Sequence, residues 1–589
     1  MRLLPLLPAA LAVTIGFAAD PPAAWAESPV VLDGADKDMR EAILELLPDR
    51  DRPTTLFEAE RIAEEAATRA LLWLRSEGYY GATVTPEASE EPPSARLVIA
   101  PGPRFSFAEP ALDYIGEAPN GEADASVRAA LAHVRAGAPG RAQEVIASEA
   151  AALNALQQAG YADARIGERR VVVDHATTTV APTFRLEPGA IARLGAVRVE
   201  PADAFRDDFV ARLRNWDEGD VYTPEALARL RRDMSSTGAV ASVSTELAPP
   251  GPAGVRDVVM QVEPARRNAF EAGVSYSTTE GLGVVGEWTR RNLTRRADSL
   301  TLSSTLAEMQ QDITAEWLRP HAAGLGRSLT LGAALEREAL TGYTRQGAAL
   351  YASIDASNRL EFGTSYGGRL SYDQYDDLAG GVSNAVVLSG FGAVRRNTTP
   401  FENRLDPRDG SLIELRLEPS ISSGDETLAF GRAIADARIY RSFGREDALT
   451  LAARIRTGWL EAISGSAEDV PPDRRFYAGG GGSVRGYEYN SIYPRERDTL
   501  GLTPGGQGLL EGSIEARWRF SERWGLAAFV DGGNAFDNWS DATDLSFGAG
   551  IGVRYNLGFA PLRADIAIPL DDERSNADYA LYISLGQAF

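Results

Sequence analysis

The sequence predicts a chain in two parts, in which small repeated α+β units precede a closed antiparallel β-barrel of about 16 strands. Two observations predict this division. A helix, a glycine and a strand recur three times before residue 265, whereas after it the helical period gives way to alternating apolar and polar residues. The 589 residues contain no cysteine, so stability has to come from hydrophobic cores or from closure of a sheet.

The first 26 residues have the pattern of a secretory signal peptide. Arg2 precedes an apolar run from Leu3 to Ala19, and Ala24-Trp25-Ala26 forms an A-x-A cleavage site. We therefore expect an exported chain that begins near Glu27. No later apolar run reaches the length of about 20 residues that a helical membrane span needs. The net charge of −23 disfavours nucleic acid as a partner.

The N-terminal part repeats the same pattern of elements. Its helices end before glycines that lie 82 and 78 residues apart, at Gly78, Gly160 and Gly238. The third copy has Thr223 as the expected N-cap and Pro224 at the first helical position. Exposed strand edges could accept an extended client by β-augmentation, or the repeats could act only as spacers. The predicted domains cover residues 27–103, 104–188 and 189–264.

Strands of the C-terminal part, residues 265–589, alternate between an apolar face and a charged face. Ile413, Leu415 and Leu417 alternate with charged residues, and the same pattern places Glu515 on the charged face of its strand. A soluble β-sandwich would alternate too, but such domains are shorter. We therefore expect a transmembrane barrel, with lipid on the apolar face and the charges in the lumen.

The stretch AGGGGSVRGYEYN, residues 478–490, places one arginine beside one aromatic ring in a glycine-rich loop. Phosphate binding is not indicated, because no Walker lysine follows and the chain contains a single lysine, Lys37. A G-x-S-x-G match surrounds Ser365, but all three histidines precede it, which disfavours a hydrolase of that type. We expect no enzymatic activity, no cofactor and no metal site.

Two motifs of the C-terminal part resemble those of a known family. Val484-Arg485-Gly486-Tyr487 matches a V-R-G-F/Y motif, and Phe529-Val530-Asp531-Gly532-Gly533 matches F-x-D-x-G. Shorter matches lie at residues 291–293, 406–410 and 552–570. The chain resembles the BamA/TamA outer-membrane assembly proteins, in which periplasmic POTRA repeats precede a 16-stranded barrel. The resemblance covers the whole mature chain and implies that the first motif lies on a long loop folded back into the lumen.

The resemblance also defines a predicted site. Asp531 could receive the Arg485 guanidinium bidentately, and Glu515 is a competing partner. The sequence alone leaves open whether Arg485 binds Asp531, Glu515 or neither. Gly486 is free to take a positive φ. The predicted site comprises the loop residues Val484, Arg485, Gly486 and Tyr487 and the wall residues Glu515, Phe529, Asp531 and Gly533.

The end of the chain combines an apolar face of Leu581, Ile583 and Leu585 with a final Phe589. A terminal aromatic residue on an amphipathic last strand resembles the signal by which outer-membrane barrels are recognised for assembly. Together with the signal peptide and the absence of cysteine, it predicts a location in a Gram-negative outer membrane, with the repeats in the periplasm.

The resemblance implies an assembly factor for unfolded outer-membrane β-barrel or autotransporter clients that acts without chemistry. The repeats would receive clients, and a seam between the first strand, near Phe270–Ser277, and the last, near Tyr579–Ala588, would open or thin the bilayer. Three repeats point to the TamA branch and to a TamB-like partner anchored in the inner membrane. A translocation pore of the two-partner secretion type is the alternative, since it shares the repeats and the loop motif.

Overall fold

The computed structural model describes residues 30–589 except 341, 358–360, 378–381, 401–404, 425–426, 495, 501–502, 559 and 572–577. The predicted signal peptide therefore lies outside the described residues. The chain forms two compact units. The first contains the residues up to Leu194 with Gly219–Pro224 and Pro250–Val255, and the second contains Gly195–Glu218, Glu225–Pro249 and Arg256–Phe589.

The first unit begins with a three-stranded sheet in which the central strand is parallel to one neighbour and antiparallel to the other. Its elements are β1 (Val30–Asp33), α1 (Lys37–Glu45), α2 (Leu56–Ser76), β2 (Thr83–Glu90) and β3 (Pro93–Ala100), and the order is β1-β3-β2. Thr55 caps α2 by accepting a hydrogen bond from the Glu58 amide. After α2, Gly78 has a φ of +99°, which closes the helix as the sequence predicts.

A second α+β sheet follows in the same unit. Its elements are β4 (Ser106–Phe107), β5 (Ala111–Tyr114), α3 (Gly121–Ala130), α4 (Ala142–Gln158), β6 (Arg165–Ile166), β7 (Arg170–Asp174) and β8 (Thr179–Glu187). All the other strands of this sheet pair with β8. Phe184 and Leu186 of β8 pack against Val127 and Leu156 of the helices and form a closed core.

A third sheet has the order β10-β11-β9. It is built from β9 (Arg193–Glu200), α5 (Asp207–Leu213), α6 (Pro224–Ser235), β10 (Val240–Leu247) and β11 (Val255–Pro264). Pro224 is the first residue of α6, as predicted, because proline lacks the N–H that a first helical turn leaves unused. Leu230 and Met234 of α6 are fully buried.

Sixteen strands form a closed antiparallel barrel, which confirms the predicted fold class. They are β12 (Asn268–Ser277), β13 (Gly281–Arg291), β14 (Ser299–Ala307), β15 (Gln310–Arg319), β16 (Arg327–Ala339), β17 (Tyr343–Ser357), β18 (Phe362–Asp377), β19 (Val382–Asn397), β20 (Gly410–Ser423), β21 (Thr427–Phe443), β22 (Leu449–Ser464), β23 (Gly508–Arg519), β24 (Trp524–Phe536), β25 (Ser546–Asn556), β26 (Pro561–Pro569) and β27 (Ala580–Leu585). A short helix, α7 (Glu496–Thr499), lies between β22 and β23.

The barrel wall has the predicted alternation. Ile413, Leu415 and Leu417 of β20 point outward and are 41–63% exposed, whereas Glu515 of β23 points into the lumen and is fully buried there. Ser365 lies within β18, where no nucleophile elbow forms. Among the described residues, no helix is long and apolar enough to cross a membrane.

The last strand differs from its predicted extent of Tyr579–Ala588. β27 ends at Leu585, because Gly586 has a φ of +86° and turns the chain out of the sheet. Leu581, Ile583 and Leu585 share the outward register, but Phe589 lies outside the strand. Gly586 therefore ends the strand, whereas the sequence predicted a weak point within it.

Candidate functional site

The described residues of the long loop between β22 and β23, 465–507 without 495 and 501–502, lie against the inner face of the barrel wall. The loop's buried side chains form one core with inward-facing residues of the wall. Val484 and Tyr487 of the predicted motif are fully buried in that core, and the Tyr487 hydroxyl donates a hydrogen bond to the carbonyl oxygen of Phe547 at 3.0 Å. The loop therefore folds back into the lumen, as the resemblance implies.

Arg485 binds Asp531 in a bidentate pair. Its Nε lies 2.7 Å from Asp531 Oδ2 and its Nη2 lies 2.9 Å from Oδ1, while the Arg485 amide donates to Oδ2 at 3.2 Å. Both side chains are almost completely buried. The guanidinium also lies over the ring of Phe529, with Cζ 3.3 Å from the centroid. Phe529 and Asp531 of the second motif thus hold the same guanidinium.

Arg485 binds Glu515 as well. Its Nη1 donates to Glu515 Oε2 at 2.8 Å, and Asp565 Oδ2 lies 3.4 Å from the same nitrogen. The two carboxylates that the sequence left as competitors are therefore both partners, on opposite sides of one planar group. Asp565, on β26, is a third partner that sequence reasoning missed.

Further arginines of the wall balance these carboxylates. Glu515 Oε1 accepts from Arg517 Nε at 2.9 Å and from Arg554 Nη2 at 3.2 Å, and Arg554 also pairs with Asp565. Arg563 Nη1 lies 3.7 Å from Asp565 Oδ2. The network joins four guanidinium groups to three buried carboxylates, namely Arg485, Arg517, Arg554 and Arg563 with Glu515, Asp531 and Asp565. Apart from Arg485, which lies on the loop, each of these charges lies on the lumen face of its strand, and this alternation is the sequence signal that could have identified them.

Glycines let the loop backbone lie directly on the wall. A Cβ at Gly548 would stand 1.9 Å from the carbonyl oxygen of Arg485, and one at Gly533 would stand 2.7 Å from Val484 Cγ2. Gly486 has a φ of +104°, as its predicted freedom allows. The close approach of loop and wall therefore depends on glycine on both sides.

The tip of the loop contacts both sides of the junction between the first and last strands. The Gly486 amide donates to the Tyr582 hydroxyl on β27 at 3.1 Å. The Gly481 amide donates to Glu280 Oε1, just after β12, at 2.8 Å. Movement at this junction therefore has to move or break contacts of the loop.

A second group of charges holds the first part of the loop through Asp473 and Arg474. The Tyr375 hydroxyl donates to Asp473 Oδ1 at 2.6 Å, and Arg474 Nη2 donates to Ser371 Oγ at 3.2 Å. Arg345 Nη1 lies 3.6 Å from Asp473 Oδ2. No family motif marks these residues, and sequence reasoning did not find them. The loop is thus fixed to the wall at two places.

The last strand and the first strand pair over a short distance. β12 pairs with β13 along its whole length, but with β27 only at Tyr276–Ile583 and Ser277–Tyr582. Thr278 extends the contact through two hydrogen bonds of 3.0 Å with the main chain of Leu581. In the part of the chain that the structure describes, residues 268–275 have no strand partner on this side. We call this junction the seam.

The residues after β27 turn into the lumen. Gln587 Oε1 accepts from Arg554 Nε at 2.8 Å, and its Nε2 donates to Asp406 Oδ1 at 2.8 Å. The Phe589 ring lies 5.5 Å from the Arg517 guanidinium, which also donates to the Phe589 carbonyl at 3.2 Å. These contacts keep the chain end away from the unpaired edge of β12.

The third sheet contacts the turn between β13 and β14. Asp208 Oδ2 accepts from Arg296 Nη2 at 2.8 Å, and Asn292 Nδ2 donates to the carbonyl oxygen of Ala204 at 2.9 Å. The hydrogen bond from Arg296 lowers the pKa of Asp208, although burial opposes this shift. Asn292, within the short family match at residues 291–293, therefore helps to hold the third sheet against the barrel.

No cluster of three or more histidine, aspartate or glutamate residues with metal-binding geometry occurs among the described residues. The charges of the lumen are instead used in ion pairs with one another.

A closed 16-stranded barrel, preceded by α+β sheets and filled by a loop with a locked arginine, defines a repeat-bearing barrel of the outer membrane. Residues 292–589 match the Omp85 superfamily domain, and the chain belongs to this superfamily. The predicted family resemblance is thereby confirmed, as is the location in the outer membrane. The TamA-like branch remains a prediction.

Two relatives illustrate the similarity. The outer membrane protein assembly factor BamA of Nitratidesulfovibrio vulgaris is 25% identical over 451 residues, which are 73% of this chain and 55% of that protein. The chain thus spans about half the length of the curated relative that it matches. The crystal structure of BamA from Haemophilus ducreyi lacking POTRA domains 1–3 aligns with a TM-score of 0.69 at 16% identity, covering 82% of this chain and all of that one. This likeness shows the fold.

Proposed function

We propose that the chain assists the folding and insertion of other outer-membrane β-barrels, with the seam as the place of action. The short pairing between β12 and β27 is the observation that carries this proposal. Residues 268–275 offer unpaired N–H and C=O groups to a client strand, which can complete the ladder by β-augmentation. The relative in N. vulgaris is named an assembly factor, which supports the same role.

The wall is also low beside the seam. β27 has 6 residues and β12 has 10, whereas β21, on the other side of the barrel, has 17. Each strand residue adds about 3.3 Å to the height of a wall, before tilt is considered. A low wall favours a thinner bilayer at the seam, and this would reduce the cost of moving client backbone through hydrocarbon.

The lumen loop links Arg485, which fixes it to the wall, with the two sides of the seam. This connection supports the proposal. Arg485 fixes the loop to β23, β24 and β26, while Gly481 and Gly486 contact the two sides of the seam. We infer that the loop holds the seam strands in register until a client displaces these few hydrogen bonds. The buried ion pairs would remain intact during that step, because breaking them is far more costly.

The α+β sheets would receive the client first. Residues 27–103, 104–188 and 189–264 are proposed as three POTRA-like repeats in the periplasm. In the second of them, β7 pairs on one side with β8, and Val171 and Val172 are 37% and 48% exposed. Such an edge can bind an extended client through main-chain hydrogen bonds. A TamB-like partner is proposed from the number of repeats alone.

Reconstitution in liposomes tests this function. A urea-unfolded small β-barrel client is added to vesicles with the native chain, vesicles with the Arg485→Ala variant, and empty vesicles, and its protease-resistant fraction is followed over time. We expect faster client folding with the native chain than with empty vesicles and a reduced rate with Arg485→Ala. Equal rates in native and empty vesicles, with the native barrel verified as folded, would contradict the proposal.

A matched variant makes that assay specific. Arg456→Ala removes another lumen arginine, one that is 34% exposed and lies 3.6 Å from Glu511. Its guanidinium is partly solvated and lies beyond hydrogen-bond distance of Glu511, so its loss should cost less than that of Arg485 and leave client folding close to the native rate. A loss as large as that of Arg485→Ala would mean that the Arg485 effect reflects lumen charge in general.

A further inference from the structure

Three arginines project from the outer face of the barrel at the end next to the third sheet, which we call the repeat end. Arg290 pairs with Leu300, Arg319 pairs with Leu329, and Arg327 follows two residues before Leu329 on the same face. Directly opposed residues of antiparallel strands share a face, so all three side chains point toward lipid. We call them the arginine row.

Aromatic residues on the same face show where the membrane interface lies. Trp288 of β13 is paired with Phe270 of β12, and Trp317 of β15 is paired with Leu300. Both indole N–H groups point toward the repeat end, since Trp288 Nε1 donates to Asn268 Oδ1 and Trp317 Nε1 donates to Asp298 Oδ2. Tryptophan takes this orientation at the level of lipid headgroups, with its ring in the apolar layer. Arg290 and Arg319 lie two residues beyond this belt, and Arg327 lies four residues beyond it.

The arginine row has no protein partner in the described part of the chain. The side chains of Arg290, Arg319 and Arg327 form neither an ion pair nor a hydrogen bond there. The neighbouring acids are already used, because Asp298 accepts from Trp317 and from the Thr294 amide. Three unpaired cations on one lipid-facing surface are unexpected in a chain of net charge −23.

The row is confined to one side of the seam. On the other side, the outward positions of β24, β25 and β26 at the same end include Trp524 and Tyr555, which are in edge contact at 4.8 Å, and Leu562 beside them. Farther round the barrel, Arg396 is paired with Glu361 at 3.4 Å. The two flanks of the seam therefore present different chemistry to the bilayer.

We propose that the arginine row binds the phosphate groups of anionic phospholipids, of the phosphatidylglycerol type, in the periplasmic leaflet. A guanidinium can hold two phosphate oxygens at once, and its low hydration suits the membrane interface. Each arginine near an anionic surface strengthens the association by roughly fivefold. Headgroups would thus be retained beside β12, whereas the flank formed by β24 to β27 contacts lipid mainly through apolar groups.

Electron paramagnetic resonance of spin-labelled lipids tests the site. The full chain is reconstituted in phosphatidylcholine bilayers that contain a trace of labelled phosphatidylglycerol or labelled phosphatidylcholine, and the motionally restricted fraction of each is measured. We expect the native chain to prefer phosphatidylglycerol at least about threefold at low salt, with a weaker preference at high salt. The Arg290→Gln/Arg319→Gln/Arg327→Gln variant should have nearly equal affinity for the two lipids.

A matched substitution locates the effect. Arg441 also points outward at the repeat end, opposite Leu451, but it is isolated on β21. We expect Arg319→Gln to reduce the preference clearly and Arg441→Gln to leave it close to native. Heat-modifiable migration on gels verifies that every variant is a folded barrel. The proposal is overturned by equal affinities in the native chain, by a native preference in the folded triple variant, or by equal losses in the two single variants.

Discussion

Arg485 joins the loop to three strands of the wall through one planar group. Its guanidinium is shared by Asp531 and Glu515 and lies over Phe529, and the remaining carboxylate oxygens are satisfied by other arginines. Buried charges are stable only when each has its partners, because desolvation of an unpaired ion is costly. The residue therefore determines where the loop can lie, and it does so through geometry that lysine cannot reproduce.

Replacing Arg485 tests this role. Arg485→Ala leaves Asp531 with no cation and should reduce the free energy of unfolding by about 3–5 kcal/mol. Arg485→Lys keeps the charge but loses the bidentate pair and the stacked plane, so its loss should be smaller. The measurement is the temperature at which the barrel loses its heat-modifiable migration, together with trypsin cleavage within residues 465–507. Native stability and native protection of the loop in Arg485→Ala would contradict this role.

Gly548 provides an independent test of the same contact from the wall. A methyl group there would overlap the Arg485 carbonyl, so Gly548→Ala should push the loop away and cost about 1–3 kcal/mol. Gly392→Ala is the control, since no atom lies within 4 Å of its expected Cβ. We expect increased trypsin cleavage of the loop in the first variant only. Equal protection in both would show that the loop tolerates a wider gap.

The sequence predicts about half of this network. Two motifs mark Arg485 and Asp531, and the alternation of its strand marks Glu515. Pairing with both carboxylates was not predicted, because it depends on where the loop lies against β23 and β24. Asp565 and Arg554 lie in a segment that resembles the family only loosely. Their charges on lumen-facing positions were visible, but which of them meet depends on the curvature of the wall.

At the scale of whole elements, polar contacts hold the third sheet to the barrel, and the pair between Asp208 and Arg296 is an exposed one among them. Asp208 is 45% exposed and Arg296 is 23% exposed, so their pair is partly screened by water. Such a junction keeps the repeat in place at neutral pH without making it rigid. The lowered pKa of Asp208 makes the strength of this contact dependent on pH.

Removing the carboxylate tests this junction. Asp208→Asn should increase hydrogen exchange in the turn between β13 and β14 at pH 7, whereas Asp207→Asn, at the neighbouring exposed carboxylate, should leave it unchanged. The lowered pKa of Asp208 means that the pair stabilises the junction above the unfolded pKa, near 3.9, and is lost as the pH falls through the lower folded value. The native chain should therefore approach Asp208→Asn as the pH falls below the folded pKa of Asp208. A difference that persists there would exclude this pair as the cause.

The boundaries of elements were predicted unevenly. Pro224 at the start of α6 and the glycines after the repeat helices are local signals, so the sequence identifies them. The end of β27 was predicted too late, because the residues Gly586 to Phe589 still look amphipathic. What turns them inward is a set of distant partners, Asp406, Arg517 and Arg554, which no local pattern reveals.

For the whole molecule, closure of the barrel is predictable and the state of its seam is not. Alternating residues over 325 positions require a closed sheet in lipid, and the strand number follows from length. Pairing between β12 and β27 joins the two ends of that sheet. Its extent therefore depends on the register shift between each pair of neighbouring strands from β12 to β27. The short wall and the unpaired edge beside the seam appear only in the assembled barrel.

Client folding with the seam covalently closed is the measurement that tests action at the seam most directly. Since the chain has no cysteine, Tyr276→Cys/Ile583→Cys introduces the only two thiols, at directly opposed positions that suit a disulfide. Val274→Cys/Val284→Cys, which joins β12 to its full-length partner β13, is the control. The account predicts that oxidation of the first variant reduces client folding in liposomes to the level of empty vesicles, reversibly with reductant, and leaves the control at the native rate. Native activity in the verified closed form would contradict action at the seam and favour passage of the client through the lumen.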